Sequence, residues 1–396
     1  MNYTNTPINK IGKVVTGKTP STSISEYYDG DIMFITPTEL HSDYVVTKSE
    51  KTISQKGFDS IRSNTISGTS VMVGCIGWDM GNVAVCKETC ATNQQINSIV
   101  PERKRISGDF LYYSLVNNYD ILRIYGGDGT AVPIVNKSDF ESIEIDLPPL
   151  PEQRAIAEVL SSLDDKIDLL HRENKTLEQM AEALFRQWFV EEASDDWEEC
   201  TLNDLCIEIA SGGTPSTKVE SYYNGNINWY ITKELKDNFL YDSMNKITED
   251  GLKNSAARLF PKETVLVAIY AAPTVGRLGI LATEAAFNQA TCGLVANKDF
   301  CSPEFIYLYL KMQRGDLTLI ASGSAQQNLN VGKIKSYPAF IVPKDLMDKF
   351  NEIVKPIFKK INSNTRQINI LEKLRDILLP KLMSGEVRVT LPEEST

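Results

Sequence analysis

The chain has 396 residues, 42% hydrophobic and 23% charged, an ordinary globular composition with enough length for two or three domains. Its formal charge of −11 excludes a strongly basic protein that slides freely on nucleic acid. The N-terminal stretch has no signal-peptide pattern, and the most apolar run, 265–275, contains a proline and is too short to cross a bilayer. We therefore expect a cytoplasmic protein without a membrane partner.

The first motif along the chain resembles a nucleotide-binding loop. GKVVTGKT at 12–19 matches the spacing of the phosphate-binding loop of nucleoside triphosphatases. However, Pro20 and turn-forming residues follow at once, where a phosphate-binding loop requires a long helix. We interpret the motif as a false match, and the internal duplication described next supports that interpretation.

One unit of about half the chain is written twice. TGKTPSTSISEYYDGDI at 16–32 recurs as SGGTPSTKVESYYNGNI at 211–227, so that Thr19 matches Thr214 at an offset of 195 residues. The second copy has glycine where Lys18 would hold the phosphates. Chance does not explain this many matches at one offset.

The first part of each copy predicts an α+β domain, because short apolar runs alternate with turn signals. One amphipathic helix is predicted per copy, at 108–125 and at 302–320. The second should begin with Ser302 as the N-cap and Pro303 in the first turn.

A long helical pattern closes each copy. Apolar residues spaced 4-3-4-3 predict a first coiled-coil helix from about 152 to 190, and the second copy repeats the pattern less regularly, with Pro356 and Pro380 expected to bend it. If the helices run antiparallel, Asn174 and Asn364 should meet and fix the register; two solvated asparagines are an equal alternative. The predicted helix-pair and partner interface comprises Ile156, Leu160, Leu163, Ile167, Leu170, Asn174, Leu177, Leu184, Phe350, Val354, Ile361, Asn364, Ile368 and Leu371.

The residues do not form a recognisable catalytic, cofactor-binding or metal-binding constellation. Motifs of serine hydrolases, zinc proteases and dinucleotide-binding folds are absent, and none of the seven cysteines forms C-x-x-C. We expect the cysteines to be buried free thiols. The acidic pair Asp164 and Asp165 falls on the outer face of the first long helix, where we expect solvated charges.

Four kinds of segment are specific enough to suggest a family. They are the GGTPST…YYNGNINWYIT opening at 212–232, the TNQQ and FNQA segments, the PLPEQ helix entry and the LLPKLMSGEV ending at 378–387. With these segments the chain resembles a specificity (S) subunit of a Type I restriction–modification system over nearly its whole length. The first copy departs from the opening, with Lys18 for the second glycine and Phe34 for the tryptophan.

This resemblance implies both architecture and function. It implies an α+β fold with two pseudo-twofold-related α/β target-recognition domains separated by a pair of long antiparallel coiled-coil helices. The segments would be domain 1 (1–147), the first conserved helix (148–190), domain 2 (191–344), and the second helix with the C-terminal tail (345–396). The chain would be a non-catalytic subunit that reads a split, asymmetric site in double-stranded DNA.

The resemblance also implies partners. Two methyltransferase (M) subunits would dock on the helices, bind S-adenosylmethionine and methylate adenine, and two restriction (R) subunits would add ATP- and Mg-dependent translocation and cleavage. Because this chain is acidic, much of the phosphate neutralisation would fall on those subunits.

We look for candidate DNA contacts among polar, basic and tryptophan side chains in predicted loops. Asn and Gln can pair with adenine, and Arg and Lys can pair with guanine. Differences between the copies, such as Asn82 against Arg277, are better candidates for sequence reading than shared residues, which can hold the common fold. The candidates are Lys18, Trp78, Asp79, Asn82, Gln94, Gln95, Trp229, Lys233, Arg277, Gln289, Gln326, Gln327 and Asn328.

Two other classes of function stay open. One is a duplicated helical scaffold that binds protein without DNA specificity. The other is an enzyme, such as a nuclease, whose site is scattered along the sequence.

Overall fold

The computed structural model describes residues 3–41, 44–77, 80–126, 133–270, 274–322 and 329–389. The chain forms two compact units, Met1–Lys166 with Leu371–Thr396, and Ile167–Ile370. Each unit contains one copy of the α/β domain and parts of both long helices.

Unit 1 contains the following elements in chain order before the first long helix. Its strands are β1 (Thr4–Pro7), β2 (Gly12–Thr16), β3 (Tyr28–Ile35), β4 (Lys51–Ile53), β5 (Thr65–Ile66), β6 (Ser70–Gly74), β7 (Val83–Cys86), β8 (Cys90–Thr92), β9 (Ile96–Pro101) and β10 (Glu144–Leu147). Its helices are α1 (Gln55–Ser60), α2 (Gly108–Asn117), α3 (Tyr119–Tyr125) and α4 (Lys137–Ser142), followed by the long helix α5 (Leu150–Arg186).

The domain of unit 2 repeats this order. Its strands are β11 (Glu198–Thr201), β12 (Cys206–Ser211), β13 (Tyr223–Tyr230), β14 (Asn238–Leu240), β15 (Asn245–Ile247), β16 (Val265–Ala268), β17 (Leu278–Leu281), β18 (Ala286–Phe287), β19 (Thr291–Ala296) and β20 (Pro338–Ile341). Its helices are α6 (Leu202–Leu205), α7 (Glu249–Lys253), α8 (Pro303–Met312), α9 (Arg314–Ser322) and α10 (Val331–Lys335), followed by the long helix α11 (Lys344–Met383).

The main sheets of the two domains have the same topology. Strands run in the order β2-β9-β6-β7 in unit 1 and β12-β19-β16-β17 in unit 2, where β14 extends the edge. The register also repeats, since Val71 lies opposite Ile99 and Val265 opposite Leu294. The predicted α+β repeat is therefore confirmed. The stretch 12–20 forms β2 and a loop, with no long helix after it, as expected of a false nucleotide-binding match.

The prediction of one amphipathic helix per copy is wrong, because each stretch forms two helices. The breaks fall at Asn118, with ψ of 20°, and at Gln313, with ψ of 6°, far from the helical value near −42°. Apolar periodicity continues across both breaks, with Leu122 and Leu317 buried, so the sequence pattern cannot show them. Ser302 caps α8 as predicted, accepting from the backbone N–H of Phe305 at 3.2 Å.

The long helices run antiparallel within each unit. In unit 1, Arg375 of α11 contacts Asp164 of α5, and Arg388, which follows the end of α11, contacts Glu152 in the first turn of α5. In unit 2, Asn364 Nδ2 donates to Asn174 Oδ1 at 2.9 Å, which confirms that the seam asparagines meet. Helix α11 continues through Pro356 and Pro380 as one element.

Apart from its two asparagines, the predicted seam is apolar, and most of its side chains are inaccessible to solvent. Buried seam residues are Ile156, Leu160, Ile167, Leu170, Phe350, Val354, Ile361, Asn364 and Ile368, and half-buried ones are Leu163, Asn174, Leu177, Leu184 and Leu371. The seam also continues into the domain cores. Ile156 and Leu160 pack in the same cluster as Phe110 of α2, and Phe350 stacks edge-to-face on Phe189 with ring centroids 4.7 Å apart.

Candidate nucleic-acid interface

Several loops of the first copy meet at one end of its main sheet, which we call the loop end. The chain leaves β2 there, connects β6 to β7 and enters β9. Backbone hydrogen bonds join these segments, from Gly17 N to Ile96 O at 3.0 Å and from Cys75 N to Gln95 O at 2.8 Å. The segment before α4 joins them, because Val135 N donates to Cys75 O at 2.8 Å.

The second copy builds the same loop end. Gly212 N donates to Thr291 O at 3.2 Å, and Ile269 N donates to Ala290 O at 2.8 Å. Leu329 N closes the cluster by donating to Ile269 O at 3.0 Å. The duplicated sequence thus places several irregular segments at the same end of each main sheet. Rigid scaffolds commonly present binding loops in this way.

Glycine is required where the first of these loops crosses its neighbour. A Cβ on Gly17 would lie 2.1 Å from the carbonyl oxygen of Asn93, and one on Gly212 would lie 1.9 Å from that of Phe287. Only a residue without a side chain allows this approach. The glycine of the TGKTPST and SGGTPST segments therefore serves loop packing.

In the first copy the described candidates gather at the loop end. Lys18 and Gln94 are exposed, and Gln94 Oε1 accepts from Thr19 Oγ1 at 2.9 Å. Gln95 is half-buried, with Oε1 accepting from Asn93 Nδ2 at 2.9 Å. Asn82 is half-buried, and its amide lies 3.3 Å from His41 Nδ1, a neighbour that the sequence did not suggest.

In the second copy Lys233 and Gln289 are exposed, whereas Arg277 is half-buried beside β17. Gln289 Oε1 accepts from Thr214 Oγ1, the same contact that Gln94 makes in the first copy. Trp229 is only 7% exposed and donates its indole N–H to Gly213 O at 2.9 Å, so its side chain is part of the core.

Five candidates lie outside the described residues. They are Trp78, Asp79, Gln326, Gln327 and Asn328.

A partly buried ion pair in unit 1 holds the first domain against the helices. Asp164 accepts from the Tyr113 hydroxyl at 2.6 Å and from Arg375 Nη1 at 2.9 Å, with its side chain 15% exposed. Burial, followed by the hydrogen bond to Asp164, raises the pKa of Tyr113. The expectation of a solvated Asp164 is therefore wrong, because helical periodicity does not reveal what packs on the outer face; Asp165 is exposed as expected.

Unit 2 fixes its domain with different residues. Tyr307 of α8 donates to Glu178 of α5 at 2.6 Å, and Lys311 contacts Glu178 at 2.5 Å and Glu182 at 2.8 Å. Burial opposes the charge on Lys311, but the hydrogen bonds to the two glutamates outweigh it and raise the Lys311 pKa. Both domains are thus anchored on a long helix through a tyrosine–carboxylate contact.

Within the described ranges, we find no group of three His, Cys, Asp or Glu side chains placed to hold a metal ion. None of the described helices is long and apolar enough to cross a membrane. The cysteines are free thiols, all buried except the half-buried Cys200.

Comparison with known families gives a match in both copies. The Type I restriction modification DNA specificity domain matches residues 2–179 and 194–373, which together are most of the chain. Two curated relatives are similar over most of their length. The Type I restriction enzyme MjaIX specificity subunit of Methanocaldococcus jannaschii is 28% identical, with 96% of this chain and 93% of the relative covered. The HindI specificity subunit of Haemophilus influenzae is 23% identical, with coverages of 78% and 82%.

A solved structure supports the fold. The S subunit of a Type I restriction–modification system from M. genitalium superposes with a TM-score of 0.62 at 17% identity, covering 96% of each chain. At that identity the likeness concerns the fold alone.

Proposed function

This chain belongs to the Type I restriction modification DNA specificity family, and we propose that it is the non-catalytic subunit that directs partner subunits to a two-part DNA site. The observation that carries the proposal is the repeated loop end. Each copy holds irregular segments at one end of its main sheet. Two positions there differ between the copies, Lys18 against Gly213 and Asn82 against Arg277. Two such readers on one chain suit a target whose two parts have different sequences.

The proposed reading residues are the described candidates at the loop ends, together with the exposed Lys233 in the short helical turn after β13. They are Lys18, Asn82, Gln94 and Gln95 in the first copy and Lys233, Arg277 and Gln289 in the second. Lysine and arginine suit guanine or phosphate, and the amides suit adenine. Trp229 takes a structural role in this proposal, because its indole is buried and its donor is occupied.

The chemistry would reside in the partners. We propose that two M subunits dock on the exposed faces of α5 and α11, carry S-adenosylmethionine and methylate adenine, and that R subunits use ATP and Mg for translocation and cleavage. The charge of −11 fits this division of labour, because the excess of acidic over basic residues opposes binding to the phosphate backbone. Isolated, the chain should bind DNA weakly and in a salt-sensitive manner, with tight binding only in the complex.

The test is a long-read map of methylated adenine in cells that express this chain with its cognate M subunit. We expect one two-part motif with a fixed gap. Lys18→Ala should alter the first half of the motif only, and Lys233→Ala the second half only, because the two residues lie in different copies.

Matched controls come from the opposite end of the same sheets. Lys104 follows β9 and Lys262 precedes β16, so both are exposed lysines away from the loop ends. Their alanine variants should leave the motif intact. A motif unchanged by every loop-end variant, or methylation independent of this chain, would reject the proposal.

The scaffold alternative is disfavoured, because both copies match a DNA specificity domain. It would regain support if the chain bound the M subunit and methylation showed no sequence preference.

A further inference from the structure

Two large apolar side chains are exposed at the same position of the two copies. Ile124 of α3 is 69% exposed and Leu319 of α9 is 70% exposed, and they are separated by the repeat offset of 195 residues. The residues two positions earlier, Leu122 and Leu317, are buried in their domain cores. Each short helix therefore has an inner face that folding uses and an outer apolar residue that it does not.

Both helices are fixed beside the loop ends by their first residue. In unit 1 the Tyr119 ring lies against Gly81, where an added Cβ would come within 2.6 Å of it. In unit 2 Arg314 occupies the corresponding place against Gly276 and binds Asp237 with two hydrogen bonds of 2.9 Å and 2.6 Å. Each helix thus stands against the turn that follows β6 or β16.

The placement is continuous with the proposed reading residues. Gly81 and Gly276 immediately precede Asn82 and Arg277, the pair of candidates that differs between the copies. At its other end, α3 returns to the loop end through the hydrogen bond from Ile134 N to Gly126 O at 3.1 Å. Single exposed apolar residues are common on protein surfaces, but two at equivalent positions beside the same loop in diverged copies point to a shared contact.

We propose that Ile124 and Leu319 contact the DNA, each touching base edges in its own half of the target. This inference rests on the proposed function. The chemistry they offer is apolar contact with the C5-methyl group of thymine, which only an A·T pair presents and which a helix in the major groove can reach. Each side chain thereby contributes specificity at one base pair next to those read by the loops.

The experiment uses the full chain in complex with its M subunit. Ile124→Ala should relax the methylation motif at one position of the first half, and Leu319→Ala at one position of the second half. Affinity for the cognate duplex should fall about tenfold in each case, because the variant buries less apolar surface when it binds DNA. The slope of log affinity against log salt should stay unchanged, since no cation is removed, whereas a lost phosphate contact lowers the slope by about one.

Ile207→Ala is the matched control. Ile207 is 69% exposed and is the second residue of strand β12, at the end of the sheet opposite the loop end. Ile207→Ala should leave the motif and the DNA affinity unchanged. If Ile124→Ala and Leu319→Ala also leave both unchanged, the inference is overturned. If they instead reduce co-purification of the M subunit while the motif stays intact, the face is a protein interface and the inference is also overturned. A wild-type complex without a two-part motif would contradict the proposed function, a failure distinguishable from these.

Discussion

Replacing Asp164 by alanine tests whether the partly buried ion pair with Arg375 anchors the first domain on the helices. The substitution removes the acceptor of both Tyr113 and Arg375, and the carboxylate is only 15% exposed. Hydrogen bonds to charged groups contribute about 1.5–3 kcal/mol each, and leaving a buried partner unpaired adds to the loss. Because Arg375 is 32% exposed and also contacts Asp376, we expect a net destabilisation of about 3 kcal/mol.

Hydrogen exchange read by mass spectrometry measures the loss of stability around Asp164 segment by segment. A local measurement is needed because a chain with two compact units need not unfold in one step. Slowly exchanging amides of α2 and of 371–383 should exchange about 100-fold faster if the opening free energy falls by about 3 kcal/mol. The control is Asp165→Ala, which removes a neighbouring exposed carboxylate from the same helix. Equal exchange in the two variants would refute the reasoning.

Three further substitutions test local features of the two copies. Ser302→Ala should destabilise α8 by about 1 kcal/mol, whereas Ser107→Ala at the equivalent position should not, because only Ser302 makes a side-chain cap bond; equal shifts of the unfolding temperature would contradict this. Gly213→Lys should destabilise unit 2 by about 3 kcal/mol, because a Cβ there would lie 2.2 Å from neighbouring backbone, while Lys18→Gly should fold normally; soluble yield and thermal unfolding distinguish them. Asn364→Ala should lower the free energy of unfolding by about 2 kcal/mol, because it deletes two hydrogen bonds of a fully buried amide. Chemical denaturation measures this loss, and an unchanged midpoint would contradict the prediction.

The sequence predicted the features that depend on periodicity and repetition. The α+β copies and the two long helices follow from repetition and spacing, and the structure contains them. Spacing left the meeting of Asn174 with Asn364 as one of two equal alternatives for antiparallel helices, and the structure shows that they meet. These features are set by local residue pattern, or by a pairing that antiparallel helices impose.

Features that depend on distant partners were not predictable in this way. Asp164 was expected in solvent, yet its partner Arg375 lies 211 residues away, so no local pattern contains the contact. The breaks at Asn118 and Gln313 were missed for a related reason, since one residue leaving helical geometry does not disturb the apolar period. The placement of Trp229 in the core likewise depends on Gly213, which lies on another segment of the same copy.

The duplication also separates scaffold from specificity at the loop ends. Gln94 and Gln289 each accept a hydrogen bond from a threonine at the same position of their copy, so both are already used to hold the loop. A residue with the same contact in both copies cannot by itself make the two halves of a target differ. Lys18 against glycine and Asn82 against Arg277 are not shared, and both differences lie at the loop ends. We therefore expect Lys18→Gly, and the exchange of Asn82 with Arg277, to change which bases are read. The reverse change at the first position is not a test of reading, because Gly213 has no room for a side chain.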